Sequence, residues 1–410
     1  MTVPNWQSHS PIQKALAQDD AILTLYIITL PNEKASQVES YAQKIANGQS
    51  IGTQVPEEMA RLAPYCASVL WVGEAVALNS SEVQVPFVLS FPKSILMWDF
   101  GMLLTVCFGK VSMMPNLRWV DLAVPLSVAE HFQGPAMGQE GIRQRVQVPE
   151  GKPLLMSIFK PCVGVDPHDL AAMLRIQAQA GIHCVKDDEV LADASIEVAV
   201  NRVRICMQAL NQAENDFGHR PLYAVNLNAP AHQLLDRAER LLEEGVEMFL
   251  FNYLAYGFPL LHALREKLNG RAFIMGHPAL GGAFYHSPQT EAKTGMSPTL
   301  VFGTLPRLAG ADAVLFPSPY GTVALPLEEA IAVQDALNTP YLPVRPAFGV
   351  PSAGIQASMV PQILADFGTN VIINAGTGIH EGEGGSLAGV RRFQSAIETT
   401  LAQTTFEGIG

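Results

Sequence analysis

Lys186-Asp187-Asp188-Glu189 places a lysine beside three consecutive carboxylates. Two carboxylates at adjacent positions on the end of a strand can share one hard cation such as Mg²⁺. The same run at a helix start would only favour the helix dipole. Asn374-Ala375-Gly376-Thr377-Gly378 and Pro351-Ser352-Ala353-Gly354 offer bare backbone N–H groups and a hydroxyl, the chemistry of a phosphate site, or else two ordinary glycine turns. His277, between Gly276 and Pro278, suits a general acid or base, a proton relay, a hydrogen-bond donor or a structural role. No histidine spacing points to zinc. Lys160, in Phe159-Lys160-Pro161, leaves an apolar run and needs solvent or a partner; phosphate binding and proton transfer are natural uses. Lys110, in Phe108-Gly109-Lys110, reads from pattern alone as a surface lysine.

These residues recur at one kind of place. Eight short apolar runs, Leu154–Phe159, Ile182–Val185, Leu222–Val225, Val246–Phe251, Ala272–Met275, Ala313–Phe316, Pro346–Val350 and Val371–Ile373, each end in a polar or glycine-rich corner. Amphipathic stretches such as Asp169–Ala180 and Ala231–Glu244 lie between most of them. Short strands without alternation suit a buried parallel sheet, and eight βα repeats in about 255 residues predict a (β/α)₈ barrel rather than an open doubly wound sheet. Barrel chemistry sits at the C-terminal strand ends. There the sequence places Lys160; Lys186, Asp188 and Glu189; Asn226; Asn252; His277; Ser318; Ser352; and Gly376 with Gly378.

The front of the chain reads differently. Strands are predicted at Ala21–Thr29, Ala67–Val76, Val83–Ser90 and Leu117–Val124, and helices at Ala35–Ala46 and Ile95–Phe108. The mixture predicts an α+β domain over 1–133, a linker over 134–152 and the barrel over 153–410. The 410 residues are 48% hydrophobic and 16% charged, as in a soluble globular protein, and the formal net charge of −12 without a Lys/Arg run argues against nucleic-acid binding. No signal peptide is evident, and the apolar run Ile95–Phe108 contains Asp99 and is too short for a bilayer. Five cysteines, an odd count without a CxxC, favour reduced thiols in a cytoplasmic setting.

Gly181-Ile182-His183-Cys184-Val185-Lys186-Asp187-Asp188-Glu189 resembles the carbamylated-lysine metal site of the RuBisCO superfamily, and Phe132-Gln133-Gly134-Pro135 resembles its interdomain joint. Lys160-Pro161, Asn226, His277, Ser352-Ala353-Gly354 and Ala375–Gly378 follow in that family's order, so the similarity runs from about Ala21 to about Leu401. Within the superfamily the chain is similar to the RuBisCO-like 2,3-diketo-5-methylthiopentyl-1-phosphate enolases of methionine salvage. The segments Pro153–Lys160, Leu222–Leu227, His277-Pro278-Ala279 and Leu315–Pro326 carry that likeness. Two departures matter. The strand-six loop Phe316–Pro326 holds neither Lys nor Arg, whereas the carboxylases have an essential lysine there. Gln54 follows Gly52-Thr53 where both relatives usually have tryptophan.

The resemblance implies a barrel with a ferredoxin-like N-terminal domain, and a keto–enol isomerase without carboxylase activity. It implies Mg²⁺ held by carbamylated Lys186, Asp188 and Glu189, although the neighbouring acids should favour a protonated lysine that cannot react with CO₂. It implies phosphate binding by Ser352, Ala375, Gly376 and Thr377, substrate contacts from Asn226, and a hydrogen bond from His277 near the reacting oxygens. Lys110, as a neutral amine, would take the C1 proton, with Lys160 contacting substrate oxygens or serving as the alternative base. A homodimer would bring Lys110 of one protomer into its partner's site. Another RuBisCO-like isomerase, acting on 5-methylthioribulose 1-phosphate, and a non-catalytic metabolite-binding protein are the alternatives.

Overall fold

The structure, a computed structural model, describes residues 3, 5–52, 58–96, 99–285, 294–321 and 323–407; Gln54 lies outside them. The chain forms two compact units. One holds Met1–Gly134, Leu280–Ala309 and Asp335–Val344, and the other holds Pro135–Ala279, Gly310–Gln334 and Arg345–Gly410.

In the first unit, strands β1 (Ala21–Pro31), β2 (Ser68–Val72), β3 (Glu82–Pro92) and β4 (Leu117–Ala123) form an antiparallel sheet in the order β4-β1-β3-β2. Fourth-first-third-second is the ferredoxin-like arrangement that two β-α-β halves produce. Its helices include α1 (Ser10–Gln18), α2 (Val38–Gln49), α3 (Phe100–Phe108) and α4 (Leu126–Phe132). The predicted helix Ile95–Phe108 begins only at Phe100, because Asp99 accepts the Met102 N–H at 2.9 Å and caps it. Asp99 interrupts the apolar run because it starts the helix. The two late segments of this unit are stapled together by Arg307. Its buried guanidinium donates to the carbonyls of Ala336, Thr339, Leu342 and Val344.

The second unit starts with α5 (Gly138–Val146). Eight parallel strands follow: β5 (Leu154–Ile158), β6 (Cys184–Lys186), β7 (Leu222–Asn226), β8 (Met248–Phe251), β9 (Phe273–Gly276), β10 (Ala313–Pro317), β11 (Phe348–Ser352) and β12 (Ile372–Ala375). β12 pairs with β5, and a parallel bridge from Gly349 to Val371 closes the ring. Every predicted apolar run overlaps one of these strands, and six of the strands extend one or two residues past the run. Helices α6 (Pro167–Gln179), α7 (Ile196–Phe217), α8 (Leu234–Glu243), α9 (Phe258–Leu268), α10 (Leu305–Ala309), α11 (Leu327–Asn338), α12 (Val360–Phe367) and α13 (Gly385–Glu407) follow along the chain, of which α10 and the end of α11 belong to the first unit. Period-two alternation turns Leu154 and Met156, Leu222 and Ala224, Met248 and Leu250, Phe273 and Met275, Ala313 and Leu315, and Phe348 and Val350 into one core.

The expected linker 134–152 contains the helix α5, over nine of its residues. Ile142 and Val146 of α5 join the barrel core, and each such buried side chain contributes about 1.5–3 kcal/mol. Glycine, proline and glutamine made the segment look like a connector, whereas its two apolar residues at i and i+4 fill the barrel floor. Asp312 locks this plug. Its buried carboxylate accepts the N–H groups of Met137 (3.0 Å), Gly138 (2.7 Å) and Ile274 (2.8 Å). Asp312→Ala leaves three buried donors without an acceptor and should lower stability by about 3 kcal/mol, read as a drop in the thermal midpoint.

Candidate active site

The alternation that builds the barrel core continues upward into a polar layer. Lys186 follows Cys184 on the inward parity, Asn226 follows Ala224, Asn252 follows Leu250, and His277 follows Met275. Ser352 follows Val350 and Asn374 follows Ile372 in the same way. On six of the eight strands the position two residues past the last core residue is thus polar; β5 and β10 place Ile158 and Pro317 there.

The same alternation divides the acidic run. Lys186 faces inward, whereas Asp187 is buried and turned toward α7. There it meets Arg202 at 3.0 Å, accepts the Asn226 N–H at 2.9 Å and bonds the Tyr223 hydroxyl. Arg202 also holds Asp193 through two N–H groups at 2.9 and 3.0 Å. Asp187 is thereby a structural acid. Lys186, only 1% exposed, donates to the Asp187 carbonyl at 3.0 Å, with a Glu189 oxygen 3.8 Å from its nitrogen. Burial lowers the Lys186 pKa and outweighs the opposing pull of Glu189, Asp188 and Asp187. Burial thus works against the expectation from sequence that the adjacent acids favour the protonated form. Desolvation dominates, and the nearest acid in sequence is neutralised by Arg202.

Asp188 stands across from Lys160, whose amine donates to its Oδ2 at 2.9 Å and lies 2.9 Å from Cys162 Sγ. Burial pushes the Asp188 carboxyl upward, but hydrogen bonds from Cys162, Lys160 and the Val190 N–H hold it at about 2. For Lys160, burial favours the neutral amine, and the bonds to Cys162 and Asp188 more than offset it, raising its pKa. His277 Nδ1 accepts the Ala279 N–H at 3.2 Å, so Nε2 carries the proton and points at Glu189 across 3.4 Å. Asn226 donates to the carbonyls of Glu189 and Leu191, and Asn252 approaches the same Glu189 carbonyl at 3.4 Å. The side-chain oxygens of both amides are buried without a hydrogen-bond partner.

On β11 and β12, Asn374 donates to Ser352 Oγ at 3.0 Å, and Ser352 gives its proton to the Val350 carbonyl at 2.9 Å. Its hydroxyl is thus occupied, which leaves backbone N–H groups as the available anion donors of this turn. Gly376 lies beside Lys160: an added Cβ would sit 3.6 Å from Lys160 Cε. Ala375 ends β12, and Thr377 opens the short helix Thr377–His380. His380 ties that turn to β5 through the Ile158 carbonyl at 2.6 Å. Lys160, Lys186, Asp188, Glu189, Asn226 and His277 are linked by these contacts, and Ser352, Ala375, Gly376 and Thr377 stand on the strand ends beyond Lys160. Lys110 belongs to the other compact unit, where it is exposed and forms no ion pair among the described residues. Sequence reading missed Arg202, and named Asn374 only as part of the Asn374–Gly378 turn, without its bond to Ser352. Arg202 interrupts the apolar face made by Ala199, Val203 and Cys206, and Asn374 shares the parity of Ile372; both were readable signals.

Among the described residues, no set of three or more His, Cys, Asp or Glu side chains could hold a metal unaided. Asp188 and Glu189 offer oxygens, and Lys186 would have to carry a carboxylate to supply a third. The donor set and the two unpartnered amide oxygens fit such a group. His277, lowered by burial and by Lys186 to about 3 from 6.5, is neutral in the fold. The unfolded chain protonates this ring near pH 6.5, so its stabilising contribution is complete above that value and is lost as pH falls toward 3. Imidazole ¹⁵N spectra should show the neutral Nε2–H form of His277 down to about pH 5, and thermal midpoints should fall below about pH 6.5.

Residues 141–408 match the family described as ribulose bisphosphate carboxylase large chain, catalytic domain. The 2,3-diketo-5-methylthiopentyl-1-phosphate enolase of Geobacillus kaustophilus is 38% identical over 392 residues, covering 93% of each chain. That of Bacillus pumilus is 37% identical, again over 93% of each. A rubisco-like protein (MtnW) from Alicyclobacillus acidocaldarius has a similar structure, with a TM-score of 0.83 and 34% identity over 93% of this chain and 94% of that one. The octameric ribulose-1,5-bisphosphate carboxylase/oxygenase of Pyrococcus horikoshii gives 0.82 and 25% over 94% and 90%. The chain belongs to the ribulose bisphosphate carboxylase large-chain family, as one of its RuBisCO-like members.

Proposed function

We infer that this chain is an isomerase that converts 2,3-diketo-5-methylthiopentyl 1-phosphate to 2-hydroxy-3-keto-5-methylthiopentenyl 1-phosphate in methionine salvage. The observation that carries the reading is the Lys186–Asp188–Glu189–His277 cluster, set in a chain similar over 93% of its length to relatives named for this activity. The strand-six loop Phe316–Pro326, without Lys or Arg, has no cation to stabilise a newly formed carboxylate, so carboxylation forms no part of the reading.

Lys186, Asp188 and Glu189 would hold Mg²⁺. Lys186 first reacts as a neutral amine with CO₂, losing a proton to become an anionic carbamate; its burial supports that step. When bound, Mg²⁺ supplies a Lewis acid that polarises the two neighbouring ketone oxygens and acidifies C1. Lys160, kept protonated by its partners, contacts substrate oxygens and makes a poor base. The base is Lys110, which enters from the partner protomer of a homodimer and takes the C1 proton. Its exposure and its lack of an ion pair among the described residues support that role. Neutral His277 offers its Nε2–H to an oxygen that gains charge, a stabilisation worth more in a site closed to water. The backbone of Ala375, Gly376 and Thr377, with the Ser352 turn, binds the phosphate, and Asn226 fixes the Glu189 turn beneath the substrate. Five unpaired thiols are consistent with a reducing, cytoplasmic setting, and no described helix is long and apolar enough to cross a membrane.

Lys110→Ala should cut turnover by at least about 10²-fold while Mg²⁺ and phosphate binding persist. Co-assembly of Lys110→Ala with Lys186→Ala protomers should restore activity, because one of the two composite sites is then intact. Near-normal turnover of Lys110→Ala would move the base to Lys160, and failure of the mixed dimers would contradict the shared site.

A further inference from the structure

The loop after β10 carries no charged side chain from Phe316 to Pro326, yet Ser318, Tyr320 and Gly321 within it are held by neighbouring elements. The Tyr320 hydroxyl donates to Asp366 of α12, and its ring meets Phe367 edge-on with centroids 6.4 Å apart. Gln362 donates to both oxygens of that carboxylate at 3.0 Å. One residue on, Gly321 presses against the strand-seven turn: a Cβ there would lie 1.7 Å from the Ala353 carbonyl oxygen. Contact that close with backbone allows only glycine. The Ser318 N–H completes the junction by donating to the Ser352 carbonyl at 2.9 Å. Ala353 itself has a φ of +75°, a conformation that costs a non-glycine residue about 1–3 kcal/mol unless its surroundings impose it.

We propose that Tyr320 and Gly321 are positioning residues that brace the Ser352-Ala353-Gly354 turn in its phosphate-binding conformation. The start of the strand-six loop, Ser318 to Gly321, then supports the substrate's phosphate end. The brace dictates the orientation of backbone N–H groups, since the Ser352 hydroxyl is already engaged with Val350 and Asn374. The inference rests on the assignment of this turn to the phosphate.

The test measures competitive inhibition by inorganic phosphate in the Mg²⁺- and bicarbonate-treated enzyme, alongside kcat and KM. Gly321→Ala should weaken phosphate inhibition by about 10-fold, the worth of one good hydrogen bond to a charged group. KM should rise in step, with kcat little changed. Tyr320→Phe, which keeps the ring and is expected to fold, should shift both constants the same way by about 3-fold. Asp366→Asn retains an acceptor for Tyr320 and should stay near wild type. Binding of the dephosphorylated diketone should not change in any variant, which a general loss of structure would not spare. Wild-type phosphate affinity in folded Gly321→Ala and Tyr320→Phe would overturn the brace alone. A wild-type enzyme insensitive to inorganic phosphate would overturn the phosphate assignment and the brace with it.

Discussion

The buried Asp187–Arg202 pair is the interaction on which the site depends. Two charges removed from water are tolerated only when their geometry and remaining hydrogen bonds are complete. Here Tyr223, the Asn226 N–H and Asp193 complete them. Removing one partner of such a pair typically costs about 3–5 kcal/mol. The pair anchors the end of β6 from behind, and because side chains alternate along the backbone, anchoring Asp187 outward turns Lys186 inward. A surface pair of the same residues would contribute little and would set no direction.

With that direction fixed, electrostatics assigns different work to two lysines less than 30 positions apart. Burial pulls Lys186 toward the neutral amine, while carboxylate and thiol partners hold Lys160 toward the cation. The contrast is what the proposed division of roles between the two lysines rests on. Neutral His277 beside Glu189 follows the same logic: burial removes its charge and leaves a donor of fixed tautomer.

Much of this was readable in the sequence, for a definite reason. Strands buried on both faces produce uninterrupted apolar runs, and all eight runs from Leu154 to Ile373 overlap barrel strands. The strand ends named the polar layer, including Asn252 and His277. What the sequence concealed was non-local. Arg307 gathers Ala336, Thr339, Leu342 and Val344, so two late segments fold with the front unit although the barrel pattern brackets them. The helix within 134–152 was hidden by a composition that suggests a connector. The balance at Lys186 could not be read from neighbours in sequence, because burial and a salt bridge from α7 decide it. The likeness to RuBisCO-like enolases supplied what spacing alone did not: a role for Lys110, which by pattern is an ordinary surface lysine.

The most direct measurement follows the ultraviolet absorbance of the conjugated enol as the purified protein acts on 2,3-diketo-5-methylthiopentyl 1-phosphate. Absorbance should grow only after incubation with both Mg²⁺ and bicarbonate, and Lys186→Ala should abolish the growth. Growth independent of bicarbonate, or none at all from folded protein with Mg²⁺ bound, would contradict an enolase built on a carbamate at Lys186.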